Sequence, residues 1–396
     1  MQQSKVVILG GARTPVGCLQ GDLASVTAAD LGAFAIKGAI SKSKIKAENI
    51  DEVFMGCVLP AGLKQSPARQ AAIAAGISVT AGAVTINKVC GSGMQAALFA
   101  NDSIVSGTNK LVIAGGMESM TNAPHLVTGA RSGIRTGHNA LKDHMFIDGL
   151  EDAYTGRSMG SFAQETADKY NVTREQMDAF AISSLERALS AEETGALKEE
   201  IVPIKIENRK GTHEVLMDEQ PQRASKEKIK TLKPAFAKDG TITAANTSSI
   251  SDGASAILLA DSKYAREMNL DPVAYLVGHA RHSLKPNDFT LAPIDAIKKL
   301  ARKVNWNLDD VDLFEINEAF AMVTILAMRE LNIEHSKVNV YGGACAQGHP
   351  IGSSGSRIIV TLVNALHQLG KRRGIASLCI GGGEAIAVAV QIDSCD

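Results

Sequence analysis

Val84-Thr85-Ile86-Asn87-Lys88-Val89-Cys90-Gly91-Ser92-Gly93-Met94 reads as a strand, a glycine-rich turn and the start of a helix. The helix spans 94–105, a strand follows at 111–114, and the segment closes on Gly115-Gly116-Met117-Glu118. The same order returns near the end of the chain. Val338-Asn339-Val340 leads into Tyr341-Gly342-Gly343-Ala344-Cys345-Ala346-Gln347-Gly348-His349-Pro350-Ile351-Gly352. A helix at 355–369, a strand at 376–380 and Gly382-Gly383-Glu384 complete it. Two copies of one strand–turn–helix unit imply two related halves, with a site between them where the turns meet.

Outward from these segments, short apolar runs alternate with helical stretches. Strands are expected at 6–9, 53–58, 84–89 and 111–114, and helices at 31–41 and 68–75. Further strands are expected at 313–316, 337–340 and 385–391. Such alternation predicts an α/β fold with parallel strands, helical crossovers and a sheet covered on both faces. Residues 119–250 break the pattern: charge clusters, an aperiodic stretch at 124–144, then helices at 162–170 and 174–195. They read as an insertion.

Composition narrows the function classes. Of 396 residues, 41 are Lys or Arg and 42 are Asp or Glu, so the net charge of −1 offers no basic surplus for nucleic acid or membrane. No apolar run reaches the length of a membrane span. The run Val6-Val7-Ile8-Leu9-Gly10-Gly11-Ala12 reads as a strand rather than a signal core, and a cytoplasmic location is expected. The six cysteines are scattered without a C-x-x-C pair, which fits a reducing compartment.

Four residues at strand–helix turns could carry chemistry. Cys90 precedes a helix, whose N-terminal N–H groups favour a thiolate; a small apolar turn residue is the alternative. Gly91-x-Gly93-x-x-Ala96 also matches a dinucleotide fingerprint, with Glu118 as a poorly spaced acid. His349 in a rigid glycine turn is a candidate base. A metal site using Cys345, His349 and Cys379 is the competing reading. Cys379 ends a strand before Gly381-Gly382-Gly383, whose backbone could form an oxyanion hole. Asn317 is either a helix N-cap or an amide that orients a water. Two thiols and an imidazole suit acyl transfer through a thioester.

With these motifs in order, the chain resembles the thiolase family of acetyl-CoA acetyltransferases and 3-ketoacyl-CoA thiolases. The similarity runs from Gly11-Ala12-Arg13-Thr14-Pro15 to Gly381-Gly382-Gly383-Glu384, through Gly115-Gly116-Met117-Glu118-Ser119-Met120, Asn317-Glu318-Ala319-Phe320-Ala321 and Gly348-His349-Pro350-Ile351-Gly352. The resemblance implies a duplicated five-layer αβαβα fold. The N-terminal half would span 1–271, with a loop domain at about 119–249, and the C-terminal half 272–396. It implies Cys90 as acetyl carrier and His349 as its base. Asn317 would hold a water, and Cys379 would move the α-carbon proton. Backbone N–H groups of Cys90 and Gly381 would form an oxyanion hole.

The same resemblance implies coenzyme A and acetyl-CoA as substrates, with no metal or redox cofactor. It places Ser248 at the pantetheine arm and Arg223 at the nucleotide. Met159, Leu150, Phe236, Ala319 and Phe320 would line the acyl-CoA site. Arg223, Lys226, Lys228, Lys230, Lys233 and Lys238 fall where the loop domain would meet CoA, most of the lysines as solvated charges. The stretch 121–144 matches a tetramerisation loop, implying a homotetramer, a dimer of dimers. The implied reaction is reversible condensation of two acetyl-CoA to acetoacetyl-CoA, or degradative thiolysis of longer 3-ketoacyl-CoA. Three departures stand out: Ser158 in place of a histidine, Phe289-Thr290-Leu291-Ala292-Pro293 in place of Met-Gly-x-Gly-Pro, and a one-residue gap at Gln222-Arg223. The first two bear on chain length and the third on the nucleotide contact.

Overall fold

Strand β1 (Val6–Arg13) divides its side chains between two cores, Val7 and Leu9 on one face and Val6 and Ile8 on the other. That is the period-2 signature of a strand covered on both sides. The computed structural model describes residues 5–208 and 211–392; Cys395 lies outside the described residues. After β1 come α1 (Ala28–Ser41), β2 (Glu52–Gly56), α2 (Pro67–Ala74), β3 (Gly82–Ile86), α3 (Ser92–Val105) and β4 (Leu111–Ser119). The insertion carries α4 (Met159–Lys169) and α5 (Arg174–Glu193), and β5 (Ser251–Asp261) returns the chain to the sheet. The second half comprises β6 (Ala274–Ser283), α6 (Ala292–Lys303), β7 (Leu313–Ile316), α7 (Ala321–Leu331), α8 (Ser354–Gln368), β8 (Arg373–Ile380) and β9 (Glu384–Gln391).

The main ladder runs β7-β8-β9-β6-β1-β5-β4-β2-β3. Its seam is the antiparallel pair β1–β6, with Val6 opposite Leu276 and Ile8 opposite Ala274. Outward from the seam, one side is β1, β5, β4, β2, β3 and the other is β6, β9, β8, β7. Each half therefore places its first strand at the seam, then its last, its penultimate and its second. The weak internal repeat of the sequence is a duplication of topology.

The third strand of the second half is missing from the ladder. Residues 337–340, expected as a strand, form a tight helical turn over His335–Lys337 and one parallel bridge from Val338 to Phe314. Asn339 adopts φ 48°, which ends the extended run. Its amide side chain takes over the ladder bonds, accepting from Ile316 N–H and donating to Ile316 C=O, both at 2.8 Å. The expectation of parallel strands also needs correction. Among the described ladder pairs, only β2–β3, β2–β4 and β7–β8 are parallel. β8 turns into β9 through residues 381–383, and so tight a turn joins antiparallel neighbours.

Three cores separate five layers. α1 and α2 cover one face through Leu31, Ile36 and Ala71 against Val53, Met55 and Leu258. α3 and α8 lie between the two arms of the sheet, with Met94, Leu98, Ile358 and Leu362 against Val112, Ile257, Leu378 and Val388. α6 and α7 cover the far face through Ile297, Leu300 and Ala327 against Phe314, Ala385 and Ala387. The central layer needs close approach. A Cβ on Gly116 would collide with the Gly352 carbonyl, and one on Gly93 would lie 2.6 Å from Ser356 Oγ on α8. The insertion is tied to the core by buried Arg13, whose Nε reaches Glu200 at 2.6 Å and whose Nη1 reaches Asp218 at 2.7 Å. Among the described residues, no helix is long and apolar enough to cross a membrane.

Candidate active site

β3 ends at Ile86, three residues short of the expected Val89, because the chain turns before α3. In that turn Asn87 Oδ1 accepts from Val89 N–H at 2.9 Å. Ser92 Oγ accepts from Lys88 N–H at 2.8 Å and donates to Val89 C=O at 2.6 Å. Cys90 sits at its apex, partly open to solvent. Its sulfur meets two backbone N–H groups, those of Gly381 and of Cys90 itself. The sequence suggested a depressed thiol. Instead, burial outweighs those two donors and pushes the Cys90 thiol up to about 11, with the Glu118 charge adding to the rise. Cys90 is a resting thiol.

The second turn, before α8, carries His349. Its N–H donates to Ser249 C=O at 3.1 Å. Its Nδ1 lies 2.6 Å from Ser354 Oγ, and Ser354 donates its own proton to Pro350 C=O at 3.0 Å. The hydroxyl proton is thus committed, Nδ1 carries the imidazole hydrogen, and Nε2 keeps a lone pair. Nε2 is buried and has no protein partner. Burial, helped by the Arg357 charge, lowers His349 to about 3, so the ring is neutral near pH 7.

Cys379 lies one residue before the end of β8 and is 1% exposed. Burial raises its thiol well above the ordinary value, and the neighbouring Cys90 charge raises it further. Asn317 extends β7 by one bond, N–H to Ser377 C=O at 3.0 Å. It is not a helix cap: α7 begins at Ala321 with Phe320 as its N-cap residue. Both polar atoms of the Asn317 side chain are buried without a partner. Such an orphaned amide is costly to bury dry, which points to a water or a ligand as its partner.

Two buried carboxylates fasten these turns. Glu118 accepts from Val58 and Leu59 N–H at 3.0 Å and from Gly352 N–H at 2.8 Å. Burial pushes it up to about 7. It therefore holds the His349 turn and is not a ribose-binding acid; with Gly93 packed on α8, the dinucleotide reading fails on space. Glu318 accepts from Asn339 Nδ2 and Ser184 Oγ, both at 2.8 Å, and from Cys345 N–H at 3.0 Å. Cys345 is held in that packing. Among the described residues, no group of three His, Cys, Asp or Glu is placed to hold a metal ion.

Five of the expected acyl-CoA residues lie in apolar clusters that hold Cys379 or Cys90. Met159, Phe236, Ala319 and Phe320 share an apolar cluster with Cys379, and Leu150 shares one with Cys90 and Ile351. Ser248 Oγ donates to Ala319 C=O at 3.1 Å. Ser158 caps α4 by accepting from Ser161 N–H at 3.3 Å. Arg223 ends the short helix Glu219–Arg223 and pairs with Glu219, its guanidinium 3.9 Å from Asp22. Ser354, the fastening role of Glu118 and the Lys88–Glu384 ion pair escaped the sequence reading of the site. The only signal available was a hydroxyl five residues after His349, which nothing in the sequence distinguishes from its serine neighbours.

Known proteins match this chain over nearly its whole length. The family model for the N-terminal domain of thiolase matches residues 6–263, and that for the C-terminal domain matches 270–392. An acetyl-CoA acetyltransferase of Cupriavidus necator is 44% identical over 388 residues, 98% of this chain and 99% of that protein. A probable acetyl-CoA acyltransferase of Staphylococcus aureus is 44% identical over 391 residues, 98% of this chain and 99% of that protein. The crystal structure of the Bacillus anthracis acetyl-CoA acetyltransferase superposes with a TM-score of 0.96 at 37% identity, covering 98% of this chain and 99% of that one. The Acat5 thiolase of Ascaris suum, solved in complex with coenzyme A, gives 0.93 at 41% identity, covering 98% and 100%. Duplicated halves, five layers and matches of this extent lead to one conclusion: the chain belongs to the thiolase family.

Proposed function

We propose that this chain is an acetyl-CoA C-acetyltransferase that joins two acetyl-CoA into acetoacetyl-CoA and CoA, reversibly, through an acetyl group on Cys90. The observation that carries the reading is a thiol, Cys90, set against the Gly381 N–H and against a second thiol, Cys379, in a fold that also buries His349 Nε2 and the Asn317 amide without protein partners.

Each group has a task its environment suits. His349 Nε2 accepts the Cys90 proton as sulfur attacks the acetyl-CoA carbonyl; the departing CoA sulfur takes that proton. The acetyl–Cys90 oxygen then lies under the N–H groups of Cys90 and Gly381, which stabilise charge as it develops. His349 Nε2 and a water on Asn317 polarise the second thioester. Cys379 passes its own proton to His349 Nε2 and, as thiolate, takes an α-proton from the second acetyl-CoA; His349 gives its proton back to Cys379 when the cycle closes. The carbanion attacks acetyl–Cys90, acetoacetyl-CoA leaves, and Cys379 returns its proton to the Cys90 thiolate.

The acyl pocket supports short chains. Phe289 is 3% exposed and meets Phe320 edge-on at 6.3 Å, and Phe320 meets Phe236 edge-on at 6.2 Å. The departure at 289–293 thus fills space beside Cys379 rather than opening it. Ser248 and Arg223 are assigned to the pantetheine and nucleotide of CoA, Arg223 after exchanging Glu219 for phosphate. A homotetramer is supported by apolar side chains left open in the 121–144 stretch: Val127, Ile134 and Leu141. A reducing compartment such as the cytoplasm suits a reaction that needs both thiols free.

The test is CoA-dependent cleavage of acetoacetyl-CoA beside a medium-chain 3-ketoacyl-CoA. Acetoacetyl-CoA is expected to win in kcat/KM by about tenfold or more, which is about 1.4 kcal/mol of transition-state preference. A win for the medium chain would make the enzyme a degradative thiolase.

A further inference from the structure

We propose that residues 87–92 form a strained clip that aims Cys90 at Gly381, with Val89 and Asn87 as positioning residues. The proposal rests on the reading of Cys90 as the acetyl carrier.

Val89 adopts φ 46°. Nine described non-glycine residues have positive φ, five of them asparagines, and Val89 is the only β-branched residue in the set. Asparagine tolerates that region; a β-branched side chain adopts it only when its surroundings force it. Here they do. Asn87 Oδ1 holds the Val89 N–H, and Ser92 Oγ holds the Val89 C=O while accepting from Lys88 N–H. Lys88 is anchored across the halves by its ion pair with Glu384, in the strand that leaves the Gly381 turn. The Val89 side chain itself faces Gly381, its Cγ1 3.5 Å from where a Cβ on that glycine would stand.

The strain has a use at this place. Cys90 must set its sulfur below the Gly381 N–H and its own N–H, while the acyl carbonyl sits within reach of both. A displacement of about 1 Å in such an arrangement costs on the order of a hundredfold in rate. The left-handed Val89 reverses the chain between β3 and α3 with a side chain that wedges against the opposite half. Glycine would make the same turn without strain and without the wedge.

The decisive variants are Val89→Gly and the pair Asn87→Ala and Asn87→Ser, compared with the parent for acetyl-enzyme formation by rapid quench and intact mass, for kcat and KM, and for melting. Serine keeps a short acceptor for the N–H two residues on. V89G is expected to melt with the parent, to hold KM for acetoacetyl-CoA within about twofold, and to lose about tenfold or more in kcat and in acetylation. N87A should lose kcat in the same way and N87S should regain most of it. V89G within about twofold of the parent in kcat overturns the proposal. If V89G does not fold, the Asn87 pair decides, and equal losses in N87A and N87S overturn it. A parent enzyme that never acetylates on Cys90 would instead overturn the proposed function, and the two failures are separable in the mass spectrum.

Discussion

The turn at residues 87–92 and the turn at 348–354 hold equivalent places in the two halves, each leading into a helix of the central layer. They carry opposite chemistry. The first presents a thiol, reverses through a strained Val89, and is held by Asn87 and Ser92 within it and by the Lys88–Glu384 ion pair to the other half. The second presents an imidazole, reverses through Gly348 at φ 101° without side-chain strain, and is held from outside by Glu118 of the other half. Burial then drives the two groups apart, Cys90 up to about 11 and His349 down to about 3. Both are neutral at rest, a thiol and an imidazole rather than a thiolate and an imidazolium. Duplication supplied two similar turns, and the proposed function uses them as donor and acceptor of one proton.

The largest test of this comparison removes the acceptor. His349→Ala should slow acetylation of Cys90 by about 10²–10⁴-fold, measured by rapid quench. The pH dependence should change with it. In the parent, His349 stays neutral above about pH 5, so acetylation is expected to be flat from about pH 5 to 9. In the variant the thiol must ionise into water, and the rate should climb about tenfold per pH unit toward 11. A variant that keeps a flat profile would remove His349 from that proton transfer.

Next in size is Cys379→Ala, which alters the second half without touching either turn. Acetyl–Cys90 should still form, visible by mass, while condensation falls by about a hundredfold or more. Full turnover in that variant would assign the α-proton to another group.

The smallest effect concerns the join between the halves. Glu118 ionises near the ordinary carboxylate value when unfolded but at about 7 when folded, because burial opposes its charge. As pH rises between those values the unfolded chain sheds its proton first, so stability falls with pH across that window and levels above it. Glu118→Gln cannot titrate. Relative to the variant, the parent should lose on the order of 1–3 kcal/mol between pH 4.5 and 7.5, read from urea unfolding. Parallel curves would show that the carboxyl is not protonated in the fold.

Much of this was legible in the chain order. Thirteen of the fourteen expected strands and helices coincide with observed ones, since period-2 and period-3.6 burial are local properties, but β5 and β6, the two strands that flank β1, were not among them. Two misreadings share a cause. Residues 337–340 look like a strand, but Asn339 replaces the ladder with its own amide. Asn317 looks like a helix cap, but the helix starts four residues later. In both cases an amide side chain bonds, or is left free to bond, across the sheet rather than along it.

Chain order alone carried the repeated strand–turn–helix units and the glycine turns, and it singled out Cys90, His349, Cys379 and Asn317 as candidates for chemistry. It could do so because turn-forming and nucleophilic residues keep their character wherever they stand. Only the tertiary structure decided which strands run antiparallel, that Glu118 fastens the opposite half, and that the lone pair of His349 lies on Nε2. It also decided the charge state of each group. Protonation is set by how far burial strips water from a site and by which donors and charges remain beside it, and those neighbours come from segments remote in the chain.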